Sequence, residues 1–213
     1  MTRMTLSRMF AVVAAIVTFA TSLGDARAQQ VEYVEQRPPG YGPDRVRGTV
    51  YFGPHFAGRA QQSLGGTSFT QDLAPAPSLG ARLEIPLGPF FVFGGFVDFV
   101  SLQASGAPSG TDRLALLGVG GWLKGRVIID LDWSLLEFYV GVPIGLSVYV
   151  PTTDGTEAEL GLATGVLGGA QAHLSDSIAL FLEAGFRLDY FNIDDAKTTY
   201  LQAAVHAGVS FGF

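Results

Sequence analysis

The chain has 213 residues, 48% of them hydrophobic, with a formal net charge of −6 and no cysteine. The acidic balance disfavours nucleic acid and other broadly anionic partners. The absence of cysteine excludes a disulfide scaffold and a thiolate metal site.

The N-terminal segment has the layout of a secretory signal peptide. Arg3 and Arg8 form a positive region, the apolar stretch Met9–Ala20 follows, and residues 26–28 read Ala-Arg-Ala. This layout is typical of a cleaved signal, and the apolar stretch is too short to cross a bilayer as a helix. We therefore expect residues 1–28 to direct Sec-dependent export and to be removed. An uncleaved N-terminal anchor is the alternative.

A polar segment without periodicity follows the predicted signal. Residues 29–45 include Pro38, Pro39 and Pro43, and a segment of this composition does not bury enough apolar surface to fold. We interpret it as a flexible periplasmic arm and place a single domain in residues 46–213.

From residue 46 onward, apolar and polar residues alternate in eight segments separated by turn residues. A period of two is the pattern of β-strands with one apolar face. The segments are Val46–Ala57, Ser78–Leu87, Phe90–Leu102, Leu114–Ile129, Leu135–Val150, Glu159–Leu174, Ile178–Phe191 and Tyr200–Phe213.

The connections between these segments alternate in length. Short turns at residues 88–89, 130–134 and 175–176 contrast with the longer polar stretches Arg59–Pro77, Gln103–Arg113, Pro151–Ala158 and Asn192–Thr198. Long loops at one end and short turns at the other are typical of outer-membrane barrels, whose long loops lie outside the cell. An even number of strands then places both termini in the periplasm. We expect bulges or strand ends at Pro54, Pro86 and Pro143.

The apolar face of these segments is nearly continuous, uses large side chains and carries no charge, as at Leu136, Phe138 and Val140. A soluble barrel turns such a face inward, whereas a membrane barrel turns it to lipid. In hydrocarbon every backbone polar group needs a partner within the protein, which a closed barrel supplies. We therefore predict an all-β fold, an eight-stranded antiparallel up-and-down transmembrane β-barrel in the outer membrane. A soluble periplasmic carrier is the alternative.

The opposite face mixes charged residues with small ones. The interior of an eight-stranded barrel holds little more than side chains, and an unpaired buried charge is costly. We therefore predict a salt-bridged plug, with a narrow pore for small solutes as the alternative. The predicted lumen network comprises Arg47, Glu84, Lys124, Arg126 and Glu137 in the periplasmic half, Asp98, Glu159, Arg187 and Asp189 in the outer half, and Arg82 and Glu183.

The last segment ends in the pattern His206-x-Gly208-x-x-Phe211-x-Phe213. This pattern resembles the closing strand of bacterial outer-membrane barrels, and residues 46–213 resemble the small barrels of the OmpA-barrel and OmpX type. The resemblance implies that the four residues form a signal read by the barrel-assembly machinery.

The three histidines are the candidates for a metal site or a general base. Strand direction places His55 near the outer rim and His173 near the periplasm, about 20 Å apart along the barrel axis, with His206 in mid-strand. None has an evident serine partner. We therefore expect structural histidines and no enzyme, cofactor or metal, with an enzyme that modifies lipid A as a further alternative.

We expect a monomer surrounded by outer-membrane lipids, with an unknown surface ligand bound through the loops. The stretch Arg59–Pro77 is the best binding candidate because it contains Leu64, Phe69 and Leu73 among polar residues. Alternatively, these three side chains pack over the barrel mouth.

Overall fold

The computed structural model describes residues 44–106, 114–131, 134–150, 158–193 and 196–213. The predicted signal peptide and all but the last two residues of the predicted arm lie outside these ranges. No helix within them is long and apolar enough to cross a bilayer.

The described residues form antiparallel strands that close into a barrel with eight wall positions. The barrel is closed by the pairing of the first strand with the last. The predicted all-β, eight-stranded antiparallel barrel is confirmed. The strands are β1 (Arg47–Leu64), β2 (Thr67–Leu73), β3 (Ala76–Pro86), β4 (Phe91–Leu102), β5 (Leu114–Leu131), β6 (Ser134–Val150), β7 (Glu159–His173), β8 (Ile178–Ile193) and β9 (Ala196–Gly212).

Strands β2 and β3 together fill the second wall position. β1 pairs with β3 from Arg47 to His55 and with β2 from Gly58 to Leu64. The turn between β1 and β2 consists of two glycines, residues 65 and 66, with φ values of 57° and 86°, as a two-residue hairpin turn of type I′ requires. The prediction of a loop over Arg59–Pro77 is therefore wrong, since most of this stretch is a β-hairpin.

A second predicted loop is also mostly strand. β8 continues to Ile193 and β9 begins at Ala196, so only two residues connect them. The stretch Asn192–Thr198 is polar because it lies at the outer end of the barrel, where both faces of a strand can carry polar side chains. The predicted loops over 103–113 and 151–158 are only partly described.

Side chains alternate between the interior and the exterior along each strand. In β6, Glu137 and Tyr139 are buried, whereas Phe138 and Val140 are 45% and 55% exposed. The large apolar residues therefore lie on the outside and most charged ones in the interior. This arrangement follows from the period-two pattern once the polar face is turned inward.

The wall is irregular at β1. Ala57 has a φ of 48°, and the register between β1 and β9 shifts between Phe56 and Arg59, which marks a β-bulge. Pro86 ends β3, as predicted. The same prediction is wrong for Pro54 and Pro143, where pairing with one neighbouring strand lapses but the register is unchanged.

Candidate functional site

The interior of the barrel is the candidate site, and the end with the short turns, which we predict to face the periplasm and call the periplasmic end, holds a cluster centred on Lys124. Its Nζ lies 2.8 Å from Glu84 Oε2 and 2.9 Å from Glu137 Oε1. Trp122 Nε1 donates to the other oxygen of Glu84 at 2.8 Å. Arg47, also buried, pairs in register with Glu84 across β1 and β3. Burying the carboxylates of Glu84 and Glu137 without partners would be costly. In the barrel they accept from the charged Lys124, and Glu84 also accepts from the neutral Trp122.

Arg126 extends this cluster to the edge of the barrel. Its Nη1 lies 3.3 Å from Glu137 Oε2, and its Nη2 lies 3.4 Å from Asp44 Oδ1. Arg126 also donates to the carbonyls of Gly88 and Pro89 in the turn after β3. The guanidinium therefore ties the wall to the turn and to the residue at which the described chain begins.

A second layer lies above the first and is built on Glu183. Both oxygens of Glu183 accept hydrogen bonds from Arg82, one of them at 2.7 Å. Glu183 also accepts from Tyr139 Oη at 2.8 Å and from His206 Nδ1 at 2.9 Å. This carboxylate therefore connects β3, β6, β8 and β9 through one buried group.

Arg82 is held between two aromatic rings. Its Cζ lies 4.3 Å from the centroid of Tyr51 and 4.2 Å from that of Trp122. Stacking of a guanidinium on aromatic faces is favourable and fixes the orientation of its fork. Tyr51 and Trp122 therefore position Arg82 for the bidentate contact with Glu183.

A third layer lies toward the outer end. Arg187 donates from Nε and Nη2 to the two oxygens of Asp189, at 2.7 and 2.9 Å, and from Nη1 to Asp98. The group has two acids for one base, and all three side chains are largely buried.

Two histidines meet in the middle of the barrel. His55 Nε2 lies 3.2 Å from His206 Nε2, and His55 Nδ1 lies 3.0 Å from Gln202 Oε1. Because the Glu183 carboxylate accepts at His206 Nδ1, His206 carries a proton on that nitrogen. The expectation that His55 lies near the outer rim is wrong, because β1 continues nine residues beyond it to Leu64. The contact was missed because only the register of β1 against β9, which pairs His55 with Ala204, brings the two rings together.

Apolar side chains close the interior above the third layer. Phe191 packs edge-on against Tyr149 and Tyr200, with centroids 6.1 and 5.9 Å apart. We call this group the apolar cap; its buried members are Ala76, Val100, Leu102, Leu116, Phe191 and Tyr200. A cavity of about 30 Å³ lies below the cap beside His55, His206 and Asp98, which is room for one or two water molecules.

The predicted lumen residues lie on the interior face of the wall. Glu159, the first residue of β7, shares this face with Gly161 and Ala163 but is only partly buried. The ion pairs of the described interior join the other members of the predicted network and do not include Glu159. The prediction divided the lumen network into a periplasmic half and an outer half, and it did not include a separate middle layer formed by Arg82 and Glu183.

The four residues of the predicted assembly signal lie on different faces of β9. His206 points inward, and Phe211 and Phe213 are 45% and 76% exposed on the outside. A Cβ at Gly208 would lie 2.3 Å from Val50 O, so only glycine fits there. The Phe213 N–H donates to Val46 O at 3.0 Å and ties the last residue to the start of β1.

The described residues contain no group of three or more His, Cys, Asp or Glu side chains that could hold a metal ion. Within these ranges the ring nitrogens of His55 and His206 contact Gln202, Glu183 and each other, not a hydroxyl. Among the described residues, the ring nitrogens of His55 and His206 therefore take part in hydrogen bonds other than a histidine–hydroxyl pair.

We expect Gly141→Ala to destabilise the barrel by about 1–3 kcal/mol, the usual cost of overpacking. A Cβ at Gly141 would lie 2.0 Å from the Trp122 ring, and moving that ring disturbs its hydrogen bond to Glu84 and its stacking on Arg82. Gly125→Ala is the matched control, because a Cβ there meets no atom within 4 Å. Urea unfolding of both variants in detergent micelles measures the difference; equal midpoints would contradict the packing argument.

Solved structures provide the comparisons with known proteins. OprG from Pseudomonas aeruginosa matches with a TM-score of 0.51 and 11% identity, over 81% of this chain and 98% of that chain. Neisserial surface protein A matches with a TM-score of 0.47 and 19% identity, over 78% and 97% of the two chains. Ail, the attachment invasion locus protein of Yersinia pestis, matches with a TM-score of 0.38 and 15% identity, over 78% and 99%.

No protein-family profile matches the chain, and no curated protein matches it either. The likeness to OprG, at an identity this low, concerns the fold. The chain has the fold of the small eight-stranded outer-membrane β-barrel proteins.

Proposed function

We propose that this protein is an integral outer-membrane barrel with a sealed interior, which acts as a structural or surface-interaction component of the cell envelope and not as an enzyme. The observation that carries the proposal is the filled interior. Three layers of paired charges and the apolar cap occupy it from the periplasmic turns to the outer end. Because these groups fill the interior formed by the described residues, the outer surface becomes the part available for interaction.

The exterior supports the membrane placement. Large apolar side chains face outward on the barrel strands, among them Phe52, Leu123, Ile144 and Leu182, each more than half exposed. Water disfavours so much contiguous apolar surface on a monomer, whereas lipid accepts it if the backbone is paired throughout. The signal-like N-terminus is consistent with Sec-dependent export to reach this membrane.

We expect the refolded protein to resist SDS at room temperature and to change its electrophoretic mobility only after boiling. Detergent does not readily unfold the barrel, because the strands of the wall are paired with each other and the charges in the interior are paired as well. Extraction from outer membranes is the companion measurement. Release by carbonate or high salt alone would contradict integral membrane placement.

A narrow channel is the second candidate, and the cavity beside His55 and His206 favours it. We expect no ion conductance in planar bilayers, because the apolar cap and the paired charges block that cavity on both sides. Replacing Phe191 of the cap by alanine serves as the comparison, since it enlarges the outer end without touching an ion pair. Steady conductance of the unmodified protein would favour the channel and contradict the sealed interior.

The hairpin of β1 and β2 supports a surface-interaction role. Leu64 and Phe69 are 57% and 62% exposed near its tip, so they do not pack over the barrel mouth. Leu73, at the base of the hairpin, packs against the apolar cap. The two exposed side chains are therefore the part of this stretch available to a ligand.

A further inference from the structure

The outward face at the outer end of four neighbouring strands differs from the rest of the wall. These strands lie in the order β2, β1, β9 and β8. Phe56, Leu201 and Leu188 are the last large apolar side chains on β1, β9 and β8 before the outward residues become polar, and Phe186 lies two residues before Leu188. The boundary between lipid tails and headgroups therefore crosses the barrel at this height.

Two cations lie at and above that boundary. Arg59 pairs with Leu201 across β1 and β9, and Lys197 lies four residues from Leu201 toward the tip, about 13 Å along the strand. Arg59 and Lys197 both point outward, because their neighbours Gly58, Ala196 and Thr198 are buried. Apart from Arg45 at the periplasmic end, the other described basic residues point into the barrel.

We propose that this face binds the phosphate groups of the phosphorylated glycolipid in the outer leaflet, with Arg59 and Lys197 as the phosphate ligands. Phe56, Leu201 and Phe186 would contact its acyl chains directly below. Charge complementarity selects an anionic headgroup, and continuity with the lipid-facing wall selects a lipid over a free anion. The inference rests on the proposed placement in the outer membrane.

The residues around Arg59 and Lys197 allow a phosphate group to bind and to dissociate. The described carboxylate on this face, Asp72, lies 3.5 Å from Arg59, with both side chains about three-quarters exposed. Exposed pairs of this kind contribute little, so a phosphate in reach of the guanidinium competes with Asp72. Gln61, Thr199 and Tyr190 form one outward row between the cations and offer hydrogen-bond donors to phosphate or sugar.

The test uses the mature protein refolded in uncharged detergent and a fluorescently labelled bisphosphorylated lipid A, with binding followed by anisotropy. Arg59→Gln and Lys197→Gln should each weaken binding about fivefold, and the double variant roughly 25-fold. Arg45→Gln is the matched control, because it removes a cation at the periplasmic end. The same lipid without phosphates should bind all variants equally and weakly.

Equal affinity of the double variant and the unmodified protein would overturn the inference. So would a loss of the same size with the dephosphorylated lipid, which would indicate apolar contact alone. Displacement by millimolar inorganic phosphate as effective as by lipid A would identify a free-anion site instead of a glycolipid site. Failure of the proposed function gives a different result, since no variant would then show heat-dependent mobility in SDS.

Discussion

Glu183→Ala is expected to lower the free energy of unfolding by about 3–5 kcal/mol, the cost of removing one partner from a buried ion pair. The substitution leaves the Arg82 guanidinium, 3% exposed, without either carboxylate oxygen. It also removes the acceptor of Tyr139 Oη and of His206 Nδ1. Urea unfolding in micelles, followed by tryptophan fluorescence, measures the change.

Two further variants distinguish the effect of losing the ion pair from the effect of shortening a glutamate side chain. Glu159→Ala removes an acid of the same type that has no ion pair within the described strands, and it should change stability by less than about 0.5 kcal/mol. Replacing Arg82 and Glu183 together by Met and Leu should recover much of the loss, because no charge is then stranded. A Glu183→Ala variant as stable as the parent would show that Arg82 finds another anion or water.

Phe213→Ala is expected to reduce the amount of barrel in the outer membrane of cells several-fold while leaving refolding in detergent nearly normal. Phe213 is 76% exposed on the outside, so its contact with lipid contributes at most about 1.5–3 kcal/mol. A closed wall tolerates that loss. The larger effect in cells would follow from the loss of the assembly signal that we predict for His206, Gly208, Phe211 and Phe213.

Phe52→Ala is the matched control for this experiment. Phe52 is 66% exposed on the same lipid-facing surface, but it lies in β1, away from the terminal pattern. Its removal should leave the yield in cells unchanged and cost a similar amount in vitro. Normal yield of the Phe213→Ala variant together with poor refolding would assign Phe213 a stabilising role and contradict the assembly role.

The fold could be predicted from the sequence because the two faces of each strand differ so sharply. Phe138 and Val140 alternate with Glu137 and Tyr139, and a one-residue change of phase would put charges into lipid. The same alternation correctly assigned Arg82, Lys124 and Arg187 to the interior. Strand phase is a local property, and the sequence carries it directly.

The wrong or missing predictions concern two kinds of feature. Some depend on the register between strands, and the others lie at the outer end of the barrel, beyond the last large apolar side chains that point outward. Polar composition at Arg59–Pro77 was interpreted as a loop, although the pair Gly65-Gly66 between two polar runs is a hairpin signal. The contact of His55 with His206 depends on how β1 meets β9, about 150 residues away in sequence. The middle layer of Arg82 and Glu183 likewise depends on the placement of β3 against β8 across the interior.

The seam between β1 and β9 has a consequence for biogenesis. These strands are the first and the last of the barrel along the chain, yet they pair with each other along most of their length. Until β9 arrives, every partly formed sheet exposes two unpaired edges, which readily recruit foreign strands. Pairing over so long a sequence separation is also intrinsically slow. A barrel of this topology is therefore most exposed to wrong pairing until its last strand has joined the first, and holdase chaperones would have to shield both edges until closure.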